Sequence, residues 1–105
     1  MRDSPNAETD FATRLTAPAR WRVVAVEPRP DWRITVRFAD GTTGTVDLTR
    51  ILFGANPGVF ESLRDSTLFA RVFIEDGVVT WPGGLDLAPD AMYDAIRQTG
   101  EWAPA

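Results

Sequence analysis

The stretch WRITVRFADGTTGTVDL, residues 32–48, decides the fold. Within it Trp32, Ile34, Val36 and Phe38 alternate with Arg33, Thr35 and Arg37. That is the period-two pattern of a strand with one buried face and one wet face. Ala39-Asp40-Gly41 then breaks the pattern. Asp-Gly between two strand-like runs predicts a hairpin, because Gly accepts the positive φ that tight hairpin turns require. Thr42 to Leu48 supplies the returning strand, with Val46 and Leu48 on its apolar face. Upstream, Arg20 to Val26 holds Trp21, Val23, Val24 and Val26, a β-branched run that reads as another strand. The prolines in Glu27-Pro28-Arg29-Pro30-Asp31 are expected to end it in a loop. The first ordered half is therefore an antiparallel three-stranded meander.

Downstream the pattern turns helical. Asp47 or Thr49 is suited to cap a helix over Arg50 to Phe53, and Gly54, Asn56, Pro57 and Gly58 interrupt it. A second helical piece, Val59 to Arg64, places Val59, Phe60 and Leu63 on one side. Asp65 and Ser66 can cap a turn carrying Leu68 and Phe69. Arg71 to Glu75 and Val78 to Trp81 form a hairpin about Asp76-Gly77, which looks locally like the first Asp-Gly turn. Pro82-Gly83-Gly84 is a tight turn. The last helix is expected over Pro89 to Gln98, with Pro89 at its first position, Asp90 near the positive end of its dipole, and Met92, Tyr93 and Ile96 facing inward. Gly100 stops it.

Three strands, a helical segment, two strands and a helix, without βαβ alternation, give an α+β class. The expected architecture is a small two-layer domain with a mainly antiparallel sheet, in the order β-β-β-α-β-β-α, and helices packed on one face. Its parts are a flexible arm over residues 1–19, with at most a short turn through Phe11 and Leu15, a single domain over 20–98, and a frayed tail over 99–105.

Composition narrows the chemistry. The 105 residues contain no His, no Cys and no Lys; all eleven cations are Arg, which a GC-rich codon usage explains. Imidazole, thiolate and side-chain amine sites are excluded, as are disulfides. The net charge is −4. Residues 1–50 carry eight Arg against seven acids, and residues 51–105 three Arg against eight acids. An acidic C-terminal half repels phosphate backbones. No run approaches the ~20 apolar residues of a membrane helix, and the polar N-terminus does not read as a signal peptide. The expectation is a cytoplasmic protein without a membrane partner.

Phe38-Ala39-Asp40-Gly41, Val46-Asp47-Leu48, Phe60-Glu61-Ser62-Leu63, Phe69, Trp81-Pro82-Gly83-Gly84-Leu85-Asp86-Leu87 and Pro89-Asp90-Ala91-Met92-Tyr93 together resemble the bacterial family known as domain of unknown function 2442. The resemblance covers about Trp21 to Ile96. It implies a small α+β domain of the same element order. It also implies a setting beside another small protein, as in toxin–antitoxin-like pairs. It carries over no catalytic residue.

The remaining constellations are few. Asp86, Asp90 and Asp94 recur every fourth residue, and only Mg²⁺ or Ca²⁺ suits carboxylates alone; the simpler reading assigns them to the helix start and to solvent. Glu75 and Asp76 read as a strand end and a turn. Ser4, Ser62 and Ser66 lack a base. Arg33 and Arg37 share a strand face, with Arg22 on a neighbouring strand. Trp81 is either a core residue or an interface anchor. The leading expectation is a non-enzymatic module, antitoxin-like or an adaptor, that binds a small protein partner through Arg22, Arg33, Arg37, Trp81 and Asp86, with no cofactor and no metal. The alternatives are nucleic-acid binding through Arg20, Arg22, Arg33 and Arg37, and a carboxylate enzyme using a divalent metal. An exposed sheet edge leaves a homodimer by strand pairing open.

Overall fold

The computed structural model describes residues 20–104. Strands β1 (Val23–Arg29), β2 (Arg33–Phe38) and β3 (Thr43–Asp47) form the expected antiparallel meander. Ile34, Val36 and Phe38 are buried while Arg37 is exposed, as the alternation requires. Helix α1 (Thr49–Phe53), a 3-10 helix (Gly58–Arg64) and helix α2 (Ser66–Phe69) follow. Strands β4 (Phe73–Glu75), β5 (Val78–Trp81) and β6 (Leu85–Asp86), helix α3 (Pro89–Thr99) and strand β7 (Glu101–Trp102) complete the described chain. Two sheets result, ordered β1-β2-β3-β7 and β4-β5-β6. The class is α+β, and one core holds residues of both sheets, α1 and α3.

Four expectations are corrected. First, β1 does not stop before Pro28; it runs through Glu27, Pro28 and Arg29 to pair with β2. Pro is tolerated because β1 is an edge strand, whose outer side needs no amide donor. Second, Trp32 is not in β2. Asp31 and Trp32 form the turn before it, both at positive φ, a conformation costing on the order of 1–3 kcal/mol per residue. The turn swings Trp32 back under the helices, where its Nε1–H donates to the Leu63 carbonyl at 2.8 Å and its ring meets Phe53 edge-on at 5.1 Å. Third, Val59 is 72% exposed. A 3-10 helix aligns every third residue, so Phe60 and Leu63 face inward together and Val59 does not. Fourth, the expected tail is ordered over residues 99–104, and Ala105 lies outside the described residues. Gly100 adopts the left-handed conformation that ends α3, and Glu101–Trp102 then pair in parallel with Thr45–Val46. The expected arm, including the turn through Phe11 and Leu15, lies outside the described residues.

A bulge at Val24 sets how β1 meets the core. Val23 pairs with Phe38 and Ala25 with Arg37, so Val24 is the extra residue. Val23 and Val26, three apart, therefore both turn inward, and Val24 is left 47% exposed. Gly44 of β3 matters in another way. A Cβ there would lie 2.5 Å from the Ile96 Cγ2 and 2.7 Å from the Gly100 carbonyl oxygen. The missing side chain lets α3 rest directly on the sheet. Among the described residues no helix is long and apolar enough to cross a membrane.

Candidate functional site

The five residues singled out from sequence are not one cluster. Arg22 precedes β1 and works inside the fold. Its aliphatic stem lies over Gly77, where a Cβ would meet its Cγ, and its guanidinium donates to the Asp76 carbonyl at 3.3 Å. The neighbouring Val23 amide donates to the Gly77 carbonyl at 2.9 Å. Arg22 thus staples the β4–β5 turn to the first sheet, rather than extending the Arg33–Arg37 face.

Arg33 and Arg37 do share the open face of β2, opposite Asp47 and Thr43 on β3 and Arg29 and Ala25 on β1. Two of the three arginines on this face are paired. Arg33 pairs with Asp47 at 3.2 Å and Arg29 with Glu27 at 3.4 Å. Arg29 also donates to the Thr35 hydroxyl at 3.1 Å. Asp47 is committed twice over: its other oxygen accepts from the amide and hydroxyl of Thr49 at 3.0 and 2.6 Å, fixing the start of α1. Partial burial raises the Asp47 pKa, but those bonds and Arg33 outweigh it and hold the carboxyl below its ordinary value.

Trp81 is not an interface anchor. It is fully buried. Its Nε1–H donates to the Phe69 carbonyl at 2.9 Å, and the two rings lie 5.8 Å apart. Alternation in β5 sends Val79 and Trp81 to the core with Ile74 and Leu85 on the flanking strands.

A polar cluster with no sequence motif of its own joins the β2–β3 turn to helix α3. Asp40, taken as a turn former, accepts from the Tyr93 hydroxyl of α3 and from the Thr42 amide at 2.9 Å. Arg97 lies 3.6 Å from the same carboxylate and 3.1 Å from the Tyr93 oxygen. The Tyr93 hydroxyl, then the amide and hydroxyl of Thr42, lower the Asp40 pKa from 3.8 to about 2, against a small burial effect and with help from Arg97. Phe38 meets the Tyr93 ring edge-on at 5.1 Å. The only sequence signal was an acid beside Gly41 and a Tyr on the inward side of a helix. Neither identifies the other across 53 residues.

Two candidates border cavities: Arg37 lines an open hollow of about 480 Å³ over β1, β2 and β3, and Asp86 lines a groove with more apolar walls. β6, the β6–α3 junction, α1, the 3-10 helix and the C-terminal strand enclose an open groove of about 380 Å³. Buried Leu48 and Leu87 form its floor, and Ile51, Phe60, Trp102 and Pro104 its sides. Asp86 is the sole charged residue lining it. Among the described residues no group of three or more His, Cys, Asp or Glu side chains is gathered closely enough to hold a metal ion. The Asp86, Asp90 and Asp94 spacing does not build one. Ser62 and Ser66 are exposed.

Residues 23–98 match the model of a protein family of unknown function, DUF2442, and the chain belongs to that family. Searches of curated proteins and of solved structures gave no match.

Proposed function

We propose that this DUF2442 chain is a cytoplasmic, non-enzymatic protein-binding module, an antitoxin-like or adaptor partner of a small protein. The observation that carries the reading is the open groove of about 380 Å³ with apolar walls and a single carboxylate. Concave apolar surface with few polar groups is what a protein exposes where it binds. Phe53, half exposed on α1, and Val59, on the 3-10 helix, add apolar surface on neighbouring elements. The chemistry of the chain points the same way. Without His, Cys or Lys, general acid–base and nucleophilic catalysis fall to carboxylates, Tyr93 and Ser. Asp40, Asp47 and Tyr93 are already bonded to one another or to Thr49.

The test is reconstitution. The tagged chain is purified from its host, the partner identified by mass spectrometry, and the two proteins produced separately and mixed. A stoichiometric complex by size exclusion with light scattering is expected. A chain that stays free when mixed with each small protein encoded beside it refutes the reading.

A further inference from the structure

The groove has a feature that defines what enters it. β6 is an edge strand, paired on one side with β5. In that pair Leu87 donates to the Val79 carbonyl at 3.1 Å, while Asp86 faces Thr80. In an antiparallel ladder, hydrogen-bonded and non-hydrogen-bonded pairs alternate. The Thr80–Asp86 pair is therefore of the second kind, and the amide and carbonyl of Asp86 point away from β5. Among the described residues nothing bonds to them. β7 differs: the Thr99 hydroxyl accepts from the Glu101 amide at 3.4 Å and donates to the Glu101 carbonyl at 3.0 Å. One lip of an apolar groove is thus an open strand edge, and the other lip is closed.

Resting on the protein-binding reading above, we infer that the groove takes an extended segment of a basic protein, added as a fourth strand alongside β6. An added strand would exchange main-chain hydrogen bonds with Asp86, which supply affinity independent of sequence. Specificity would come from alternation. Leu87 is buried in the groove floor and Asp86 is exposed. Laid beside them, a strand with apolar residues at every second position places those side chains over Leu87 between Phe60 and Trp102. Its intervening residues lie beside the Asp86 carboxylate, where a cation is favoured and an acid opposed. The chain itself is a poor occupant. Its C-terminal half, which supplies all of the groove lining but Leu48, carries three Arg against eight acids. A second copy would bring like charge.

The probes are the acetylated, amidated peptides Lys-Leu-Lys-Leu-Lys and Glu-Leu-Glu-Leu-Glu, titrated into the ¹⁵N-labelled full chain. With the basic peptide, the Asp86 and Leu87 amides and the Trp102 indole resonance move and saturate. The acidic peptide binds at least tenfold more weakly. A basic peptide N-methylated at every Lys loses at least tenfold, since the residue opposite Asp86 in an antiparallel pair can then no longer donate to its carbonyl. Asp86→Asn, at an exposed position, keeps the wild-type melting temperature and narrows the basic-to-acidic preference to within about twofold. Groove resonances that stay fixed with both peptides overturn the inference. So does equal binding of both, or an N-methylated peptide that binds as well as its parent. The larger reading fails separately. If a partner complex forms but displaces resonances of the Arg33–Arg37 face instead, the groove inference falls and the binding module stands.

Discussion

Replacing Trp81 by Phe tests whether this tryptophan holds the core together or contacts a partner. The side chain is fully buried and its indole N–H reaches the Phe69 carbonyl at 2.9 Å. Phe keeps the six-membered ring and removes the donor. A buried carbonyl left without a partner costs about 1–3 kcal/mol. The lost ring leaves a void of roughly 40 Å³, worth about 1 kcal/mol at ~24 cal/mol per Å³. The expected destabilisation is about 2–4 kcal/mol. For a domain of this size each kcal/mol lowers Tm by roughly 4–8 °C, so the variant melts at least about 8 °C lower. Phe is preferred to Ala because a domain of this size holds roughly 4–13 kcal/mol in all, and Trp81→Ala at about 3–5 kcal/mol can consume it.

Urea denaturation followed by far-ultraviolet circular dichroism measures the loss, and Trp21→Phe serves as control. Trp21 is 46% exposed, so that change is expected to stay within about 0.5 kcal/mol. If Trp81→Phe also stays within about 0.5 kcal/mol, the indole hydrogen bond and its packing do not stabilise this fold and the reasoning is wrong. A variant that keeps its stability but loses a partner would restore Trp81 as an anchor.

Three further outcomes follow from particular contacts. Gly44→Ala is expected to destabilise by about 1–3 kcal/mol, read from the same urea melts, because the new methyl meets the Gly100 carbonyl as well as Ile96. Asp40 is lowered to about 2 from 3.8, so its contribution is complete above the ordinary value and is lost as pH falls toward 2. The gap in Tm between wild type and Tyr93→Phe should therefore narrow between about pH 6 and about pH 2, and a gap independent of pH refutes the Asp40–Tyr93 account. Arg33→Ala breaks a pair whose Arg side is 43% exposed, and chemical denaturation should show a loss no greater than about 1 kcal/mol.

The meander was legible because Ile34, Val36 and Phe38 obey a strict period of two and Asp40-Gly41 follows them. Helix α3 was legible because Pro89 and Gly100 mark both ends and three apolar residues share one side. What escaped depends on partners far away in sequence. Pro28 reads as a breaker, and only the edge position of β1 makes it acceptable. Strands β6 and β7 are two residues each and carry no period. They exist because β5 and β3 have free sides for them. The two Asp-Gly turns look alike in sequence and differ in form. Asp76 and Gly77 both take positive φ, as a two-residue hairpin turn requires. At the first turn only Gly41 does, within a longer loop closed by the Phe38 amide on the Thr42 carbonyl. Among the candidate residues, Asp86 reached the groove only because β6 pairs with β5, and Arg22 left the sheet face because Gly77 gives its stem a seat.

The motif residues that tie this chain to its family are largely spent on the fold. Asp40 of the Phe-Ala-Asp-Gly run holds Tyr93 of the Pro-Asp-Ala-Met-Tyr run. Asp47 of Val-Asp-Leu holds Thr49 and Arg33. Trp81 of Trp-Pro-Gly-Gly holds the Phe69 carbonyl. Each of these side chains meets its partner inside the domain, so a search for function among the motifs returns structural pins. Asp86 differs from these three. It lies within the same Trp81–Leu87 run, yet its side chain is exposed and its main chain points outward from the sheet. Had Asp86 been bonded as Asp40 and Asp47 are, the groove would be a gap between packed elements. With its carboxylate and peptide groups open beside Leu87 and Trp102, the groove has the apolar floor, open hydrogen-bonding groups and single charge on which the proposed strand addition rests.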